Sequence, residues 1–181
     1  MANRITTIPH RLANWRARME KRPLLSAAAL GACLGIVSSF CSVILLPIAL
    51  RLLPPEQWGN SAAVGLDGSG PGGIFLAAVV FAPLIETLLG QLIPVEIAHR
   101  LGANALVCVL LSALVFGGGH VVNGGLVHGI SSFFAGLVFA CAYAGMRWSG
   151  IGRGFVAAGA AHAVHNMVVI FLIAPLLPPP I

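Results

Sequence analysis

Apolar residues fill five long runs, at about 24–50, 73–94, 105–119, 129–146 and 155–177, and polar residues are confined to the stretches between them. Most of these runs approach the ~20 residues a helix needs to cross a hydrocarbon core. Membrane-barrel strands alternate over about ten residues instead. The pattern therefore predicts an all-α integral membrane bundle of about five spans, in a length that leaves room for a sixth. It shows no internal repeat of the kind found in inverted-repeat transporters. Ahead of the first run, Ile8, Leu12, Trp15 and Met19 recur at helical spacing, with Arg11, Arg16, Arg18 and Arg22 mostly off that stripe. This predicts an amphipathic helix within residues 1–23, lying on an anionic membrane surface. Residues 51–72, with three Pro and five Gly, read as the one long loop and could cap the bundle. Residues 95–104 and the stretch around Arg147 and Arg153 read as short turns.

Composition supports a membrane protein. The chain is 58% hydrophobic and 8% charged, against about 25% charged in a soluble domain. A soluble enzyme, a disordered chain and a disulfide scaffold are excluded. The net charge of +5 does not point to nucleic acid, because Arg4, Arg11, Arg16, Arg18, Lys21 and Arg22 all precede the first span. They read as a cytoplasmic flank. With five spans, Arg100, Arg147 and Arg153 fall on that same side and only Arg51 on the other. The first run far exceeds a signal-peptide core of 7–15 residues, so it is expected to be a retained anchor. The expected location is a bacterial inner (cytoplasmic) membrane, multi-pass, with a cytoplasmic N-terminus. The expected division is a basic segment, 1–23, and a membrane domain, 24–181. Cys33, Cys41, Cys108 and Cys141 lie in apolar runs and read as small core residues. Leu30-Gly31-Ala32-Cys33 is similar to a lipobox, but the apolar run continues to residue 50, which argues against lipidation of Cys33.

An ionisable side chain inside a bilayer is costly and marks function by default. Glu86 is the one acid that this reading places in the middle of a span. His120 closes Phe116-Gly117-Gly118-Gly119-His120. His162 and Asn166 are four residues apart, on one helix face. A carboxylate to activate water, with His and Asn to hold an oxyanion, is a workable hydrolytic set. A two-His, one-carboxylate metal site is the alternative chemistry. His165 reads as an interhelical hydrogen bond, and His99 and His128 as interfacial residues at span ends.

These residues resemble the CPBP intramembrane proteases (the CAAX-protease, bacteriocin-processing or Abi family), which include the type II CAAX prenyl endopeptidases. The family's motifs are E-E-x-x-x-R, F-x-x-x-H and H-x-x-x-N. Here they stand, in that order, as Glu86 to Gln91, Phe116 to His120 and His162 to Asn166, within a core of about 73–175. Thr87 replaces the second Glu and Gln91 the Arg. The resemblance implies that Glu86, with His120, activates a water, and that His162 and Asn166 stabilise the oxyanion. It implies a membrane-associated protein or peptide as substrate: an anchor, a leader or a lipidated tail. No cofactor is predicted, and zinc stays open. Two other readings explain the same residues: a non-catalytic immunity or binding protein, and a small proton-coupled carrier using Glu86. Oligomeric state is not legible.

Depth poses a difficulty. At 1.5 Å per residue, Glu86 falls near mid-span, His162 about 10 Å from the inner end of its run, and His120 at the far end of a short one. Convergence would need the third helix to start deeper or the triple-glycine stretch to turn inward.

Overall fold

A computed structural model describes residues 10–59, 65–66 and 68–176; Arg4, Ile8 and residue 177 lie outside them. Six helices follow in order: α1 (His10–Glu20), α2 (Pro23–Leu52), α3 (Pro71–Arg100), α4 (Ala105–Val122), α5 (Gly124–Arg147) and α6 (Ile151–Leu176). There is no strand among the described residues. Helices α2 to α6 are each long and apolar enough to cross a membrane. The bundle also exposes Phe40, Ile44, Phe81, Leu114 and Leu172 from four of these helices. An apolar exterior on apolar helices suits lipid rather than water as solvent.

Local chemistry sets the boundaries. Pro23 opens α2 in its first turn, where no N–H is required. Asn104 caps α4, its side chain accepting the Val107 N–H at 3.0 Å. Between α4 and α5 a single residue, Gly125, leaves helical geometry, with φ 81. A positive φ of that size is open to glycine at little cost. The chain thus kinks there instead of forming the longer turn expected after His120, and α5 begins at Gly124 rather than near 129.

Two other expected ends move as well. Helix α3 runs through Pro94 to Arg100, and α6 starts at Ile151 rather than near 155. These shifts resolve the depth difficulty. At 1.5 Å per residue, Glu86 lies about 21 Å from the Arg100 end of α3, and His120 about 22 Å from the start of α4. His162 lies about 16 Å from the start of α6. Neither a deeper α4 nor an inward glycine turn is needed.

The centre of the bundle is the α2–α6 contact. Ala27, Gly31, Gly35 and Ser39 recur every fourth residue along α2 and are buried. A Cβ on Gly31 would overlap the Ala157 carbonyl oxygen, and one on Gly35 the Ala161 carbonyl. Small residues here let the backbones touch, the usual route to helix association where lipid removes the hydrophobic drive. Phe116, Phe139, Ala142 and Met146 close the core against Ala157 and Ala161.

The N-terminal helix docks at the end where α5 turns into α6. Arg16 lies over the Trp148 ring at 4.8 Å, and Met19 packs on the core. Near this end sits an ion pair the sequence reading missed. It placed residues 95–104 in a turn and Glu86 as the lone acid of any span. In fact Glu96 lies in α3 and is buried. Arg147 donates to it from Nε at 2.7 Å and from a terminal nitrogen at 2.9 Å, and the Tyr143 hydroxyl donates at 2.8 Å. Glu96 is buried while the Arg147 side chain stays 30% exposed, so removing the guanidinium leaves a buried carboxylate that only partial solvation relieves. Arg147→Ala should therefore lower stability by about 1–3 kcal/mol, read as thermal unfolding in detergent. Glu96→Leu with Arg147→Met should recover most of that loss. Unfolding of Arg147→Ala at the wild-type temperature would show that the pair does not hold α3 to α5.

Candidate active site

Glu86, His120 and His162 come together from α3, α4 and α6. Glu86 Oε2 is 3.4 Å from His120 Nε2 and 3.6 Å from His162 Nε2. The Glu86 side chain is 37% exposed, whereas that of His162 is 3% exposed. Water can therefore reach the carboxylate but not surround it.

Each imidazole is oriented by its neighbours. The His120 Nδ1 lies 2.8 Å from the Phe116 carbonyl, one turn back on α4. A carbonyl can only accept, so Nδ1 carries the hydrogen and a neutral ring turns the Nε2 lone pair to Glu86. A carboxylate and a lone pair 3.4 Å apart cannot bond to each other without a proton, and together they form a proton-accepting pair. His162 is held differently. It stacks on Phe139, with centroids 4.8 Å apart and planes at 19°, and meets the edge of Phe116 at 5.3 Å.

Phe116 is the keystone of this arrangement. Its ring touches His120, His162 and Phe139. Gly90 on α3 and Gly136 on α5 make room for it, since a Cβ at either would press on the ring at 2.7 or 3.1 Å. The physical reason for Phe four residues before His is thus twofold: the backbone sets the tautomer, and the ring places the second histidine.

Asn166 does not face Glu86 through a hydrogen bond. Its side-chain nitrogen donates to the Ala78 carbonyl at 2.8 Å. That carbonyl is free because α3 is π-helical over Phe75–Phe81. The Ala82 N–H bonds to Ala77, and the next residue, Pro83, has no N–H to offer. Asn166 supplies the missing donor, which ties α6 to the helix bearing Glu86. A second π stretch, Leu88–Leu92, precedes Pro94. There the Gly90 carbonyl loses its α-helical donor at Pro94, and the Ser112 hydroxyl of α4 replaces it at 2.7 Å.

Other expected residues fall as follows. Thr87 and Gln91 are fully buried, with the Thr87 hydroxyl and both Gln91 amide atoms unpartnered. His165 packs edge-on against Phe139, and its buried Nδ1 makes no interhelical hydrogen bond of the kind expected; His99 is exposed. His128, four residues into α5 and so near a span end as expected, brings its ring to 5.0 Å from that of His120. The approach depends on the tight break at Gly125, where the sequence reading expects a longer loop. Among the described residues, no group of three His, Cys, Asp or Glu has the arrangement of a metal site.

The fold and site define a multi-pass helical membrane protein with a Glu–His–His cluster inside the bundle. Comparison with known families matches residues 69–168 to the Rce1-like family, described as type II CAAX prenyl endopeptidase Rce1-like. The match spans more than half of the chain and includes Glu86, His120, His162 and Asn166, and the chain belongs to this family of CAAX-type intramembrane proteases. No curated protein and no solved structure matches it.

The Asn166 contact can be tested without a substrate. Asn166→Asp replaces the donor with an acceptor facing a carbonyl, and Asn166→Ala leaves that carbonyl bare. Each should cost about 1–3 kcal/mol in thermal unfolding, with Asp at least as damaging as Ala. An Asp variant as stable as wild type would mean that the Ala78 contact does not form.

Proposed function

We propose that the chain is an intramembrane endopeptidase that uses a Glu86-activated water to cut a membrane-associated protein tail or leader. The observation that carries this reading is the placement of one carboxylate oxygen 3.4 and 3.6 Å from two imidazoles of different helices. Its family supports the same class.

Glu86, assisted by His120, takes a proton from the water as its oxygen attacks the scissile carbonyl carbon. The carbonyl becomes a tetrahedral oxyanion. His162 Nε2–H and the second hydrogen of the Asn166 amide, the one not given to Ala78, donate to it. Glu86 then returns the proton to the leaving amine as the C–N bond breaks. The gaps of 3.4 and 3.6 Å exceed a direct hydrogen bond, and the attacking water sits beside these atoms, within reach of the carboxylate, rather than between them.

The same reading covers placement. Arg16, Arg147 and the docked α1 share one end of the bundle, which suits the cytoplasmic face of a bacterial inner membrane. Residues 1–23 would then lie on that surface and residues 24–181 would form the membrane domain.

The test compares cells carrying wild type with cells carrying Glu86→Gln, by profiling the termini of membrane proteins. Gln keeps the shape and removes the base, so cleavage should fall by roughly 10²-fold or more, with His120→Asn and His162→Asn following. Termini identical in wild type and Glu86→Gln cells would overturn the reading and leave an immunity, binding or carrier role.

A further inference from the structure

The ion pair at the Arg100 end of α3 borders a groove that the peptidase reading does not use. This groove, of about 330 Å³, lies between α3 and α6 and is lined by Leu92, Ile93, Glu96, Ile97, Arg100 and Ile151. Its sides are aliphatic, and Ile93, Ile97 and Ile151 are exposed, so it opens on the outer surface of the bundle. One acid borders it, and that acid is already neutralised: Glu96 takes both Arg147 contacts and the Tyr143 hydroxyl. Arg100 is exposed and makes no ion pair among the described residues. The groove is thus an apolar channel with a net positive charge at the end of the span.

We infer that this groove holds one anionic phospholipid, its acyl chain along Leu92, Ile93, Ile97 and Ile151 and its phosphate on Arg100. Charge selects the occupant. A zwitterionic lipid would fill the apolar channel equally well but brings a compensating ammonium to the same place. An anionic headgroup meets an unpaired guanidinium, which binds phosphate with two parallel hydrogen bonds. The Glu96–Arg147 pair has a part in this. With Arg147 removed, the Glu96 carboxylate would face the groove uncompensated and repel the headgroup. Only the distribution of charge at this end of α3 enters, so the site is independent of the reaction at Glu86 and of which face of the membrane this end occupies.

Native mass spectrometry of the detergent-solubilised full chain, titrated with phosphatidylglycerol or phosphatidylcholine, tests it. Wild type should retain one phosphatidylglycerol under conditions that strip phosphatidylcholine. Arg100→Gln should weaken phosphatidylglycerol retention roughly fivefold, the worth of one basic residue near an anionic headgroup. Ile97→Trp, which fills the channel and keeps the charge, should displace the lipid too. Arg18→Gln, on exposed α1, should change nothing, and matching helical circular dichroism would show that all variants are folded. Equal retention of the two lipids by wild type would overturn the proposal. So would full phosphatidylglycerol retention in both groove variants, or a loss in Arg18→Gln as large as in Arg100→Gln, which would mark a diffuse basic surface.

Discussion

A hydrocarbon core offers no hydrogen bonds to a carboxylate, so a buried glutamate must find its partners inside the bundle. That constraint organises this molecule around α3, which carries a buried acid, Glu96, and a half-buried one, Glu86. Glu86 draws His120 from α4 and His162 from α6. Glu96 draws Tyr143 and Arg147 from α5. Hydrogen bonds to Glu96 thus tie α5 to α3, bonds from Ser112 and Asn166 tie α4 and α6 to it, and small residues hold α2 against α6. In a membrane, where apolar packing alone discriminates weakly between arrangements, such contacts specify one register.

Proline gives α3 a second set of contacts. Pro83 and Pro94 each follow a π-helical stretch, and each removes a donor from the helix ladder. In water a freed carbonyl would be solvated. Here Asn166 and Ser112 reach across from α6 and α4 to satisfy Ala78 and Gly90. π-helical turns recur at functional sites, and here they flank the short α-helical segment Ala82–Thr87 that presents Glu86. The backbone defects on either side of the carboxylate thus become interhelical ties, and the same two neighbours that supply or border the histidines close them.

Much of this was legible in the residues. Run length gave the helical class and the five spans, because lipid forces whole apolar helices. The motif spacing singled out Glu86, His120, His162 and Asn166, three of which the fold brings together. What failed was the reading of breakers. Pro94 looked like a helix end, yet the preceding π stretch carries α3 through it to Arg100. Gly124-Gly125 looked like a loop, yet only Gly125 departs from helix. The first hid Glu96 in a turn, and the second hid the approach of His128 to His120. They also created a mismatch of depth that the longer helices remove. Periodicity along one chain does not show which helix supplies the compensating donor, so the Tyr143–Glu96–Arg147 cluster could not be read from it. The role of Asn166 toward Ala78 was equally invisible, since it depends on a carbonyl freed by a proline on another helix.

The two acids of α3 differ in a way that separates holding from reacting. Glu96 accepts three hydrogen bonds between 2.7 and 2.9 Å, two from a guanidinium. A carboxylate has about four lone-pair sites, so three of those of Glu96 are engaged, two of them by a fixed positive charge. Glu86 has only two imidazoles, at 3.4 and 3.6 Å, and a side chain open enough for water. One of those imidazoles has its hydrogen committed to a backbone carbonyl and turns a lone pair inward. Leaving a half-buried carboxylate short of donors costs stability, and a structural acid would be under pressure to close the gap as Glu96 has. An acid kept short of partners, with a proton-accepting ring beside it and room for one water, is poised for chemistry. The ten residues between Glu86 and Glu96 thus separate a site built to act from a clamp built to hold it in place.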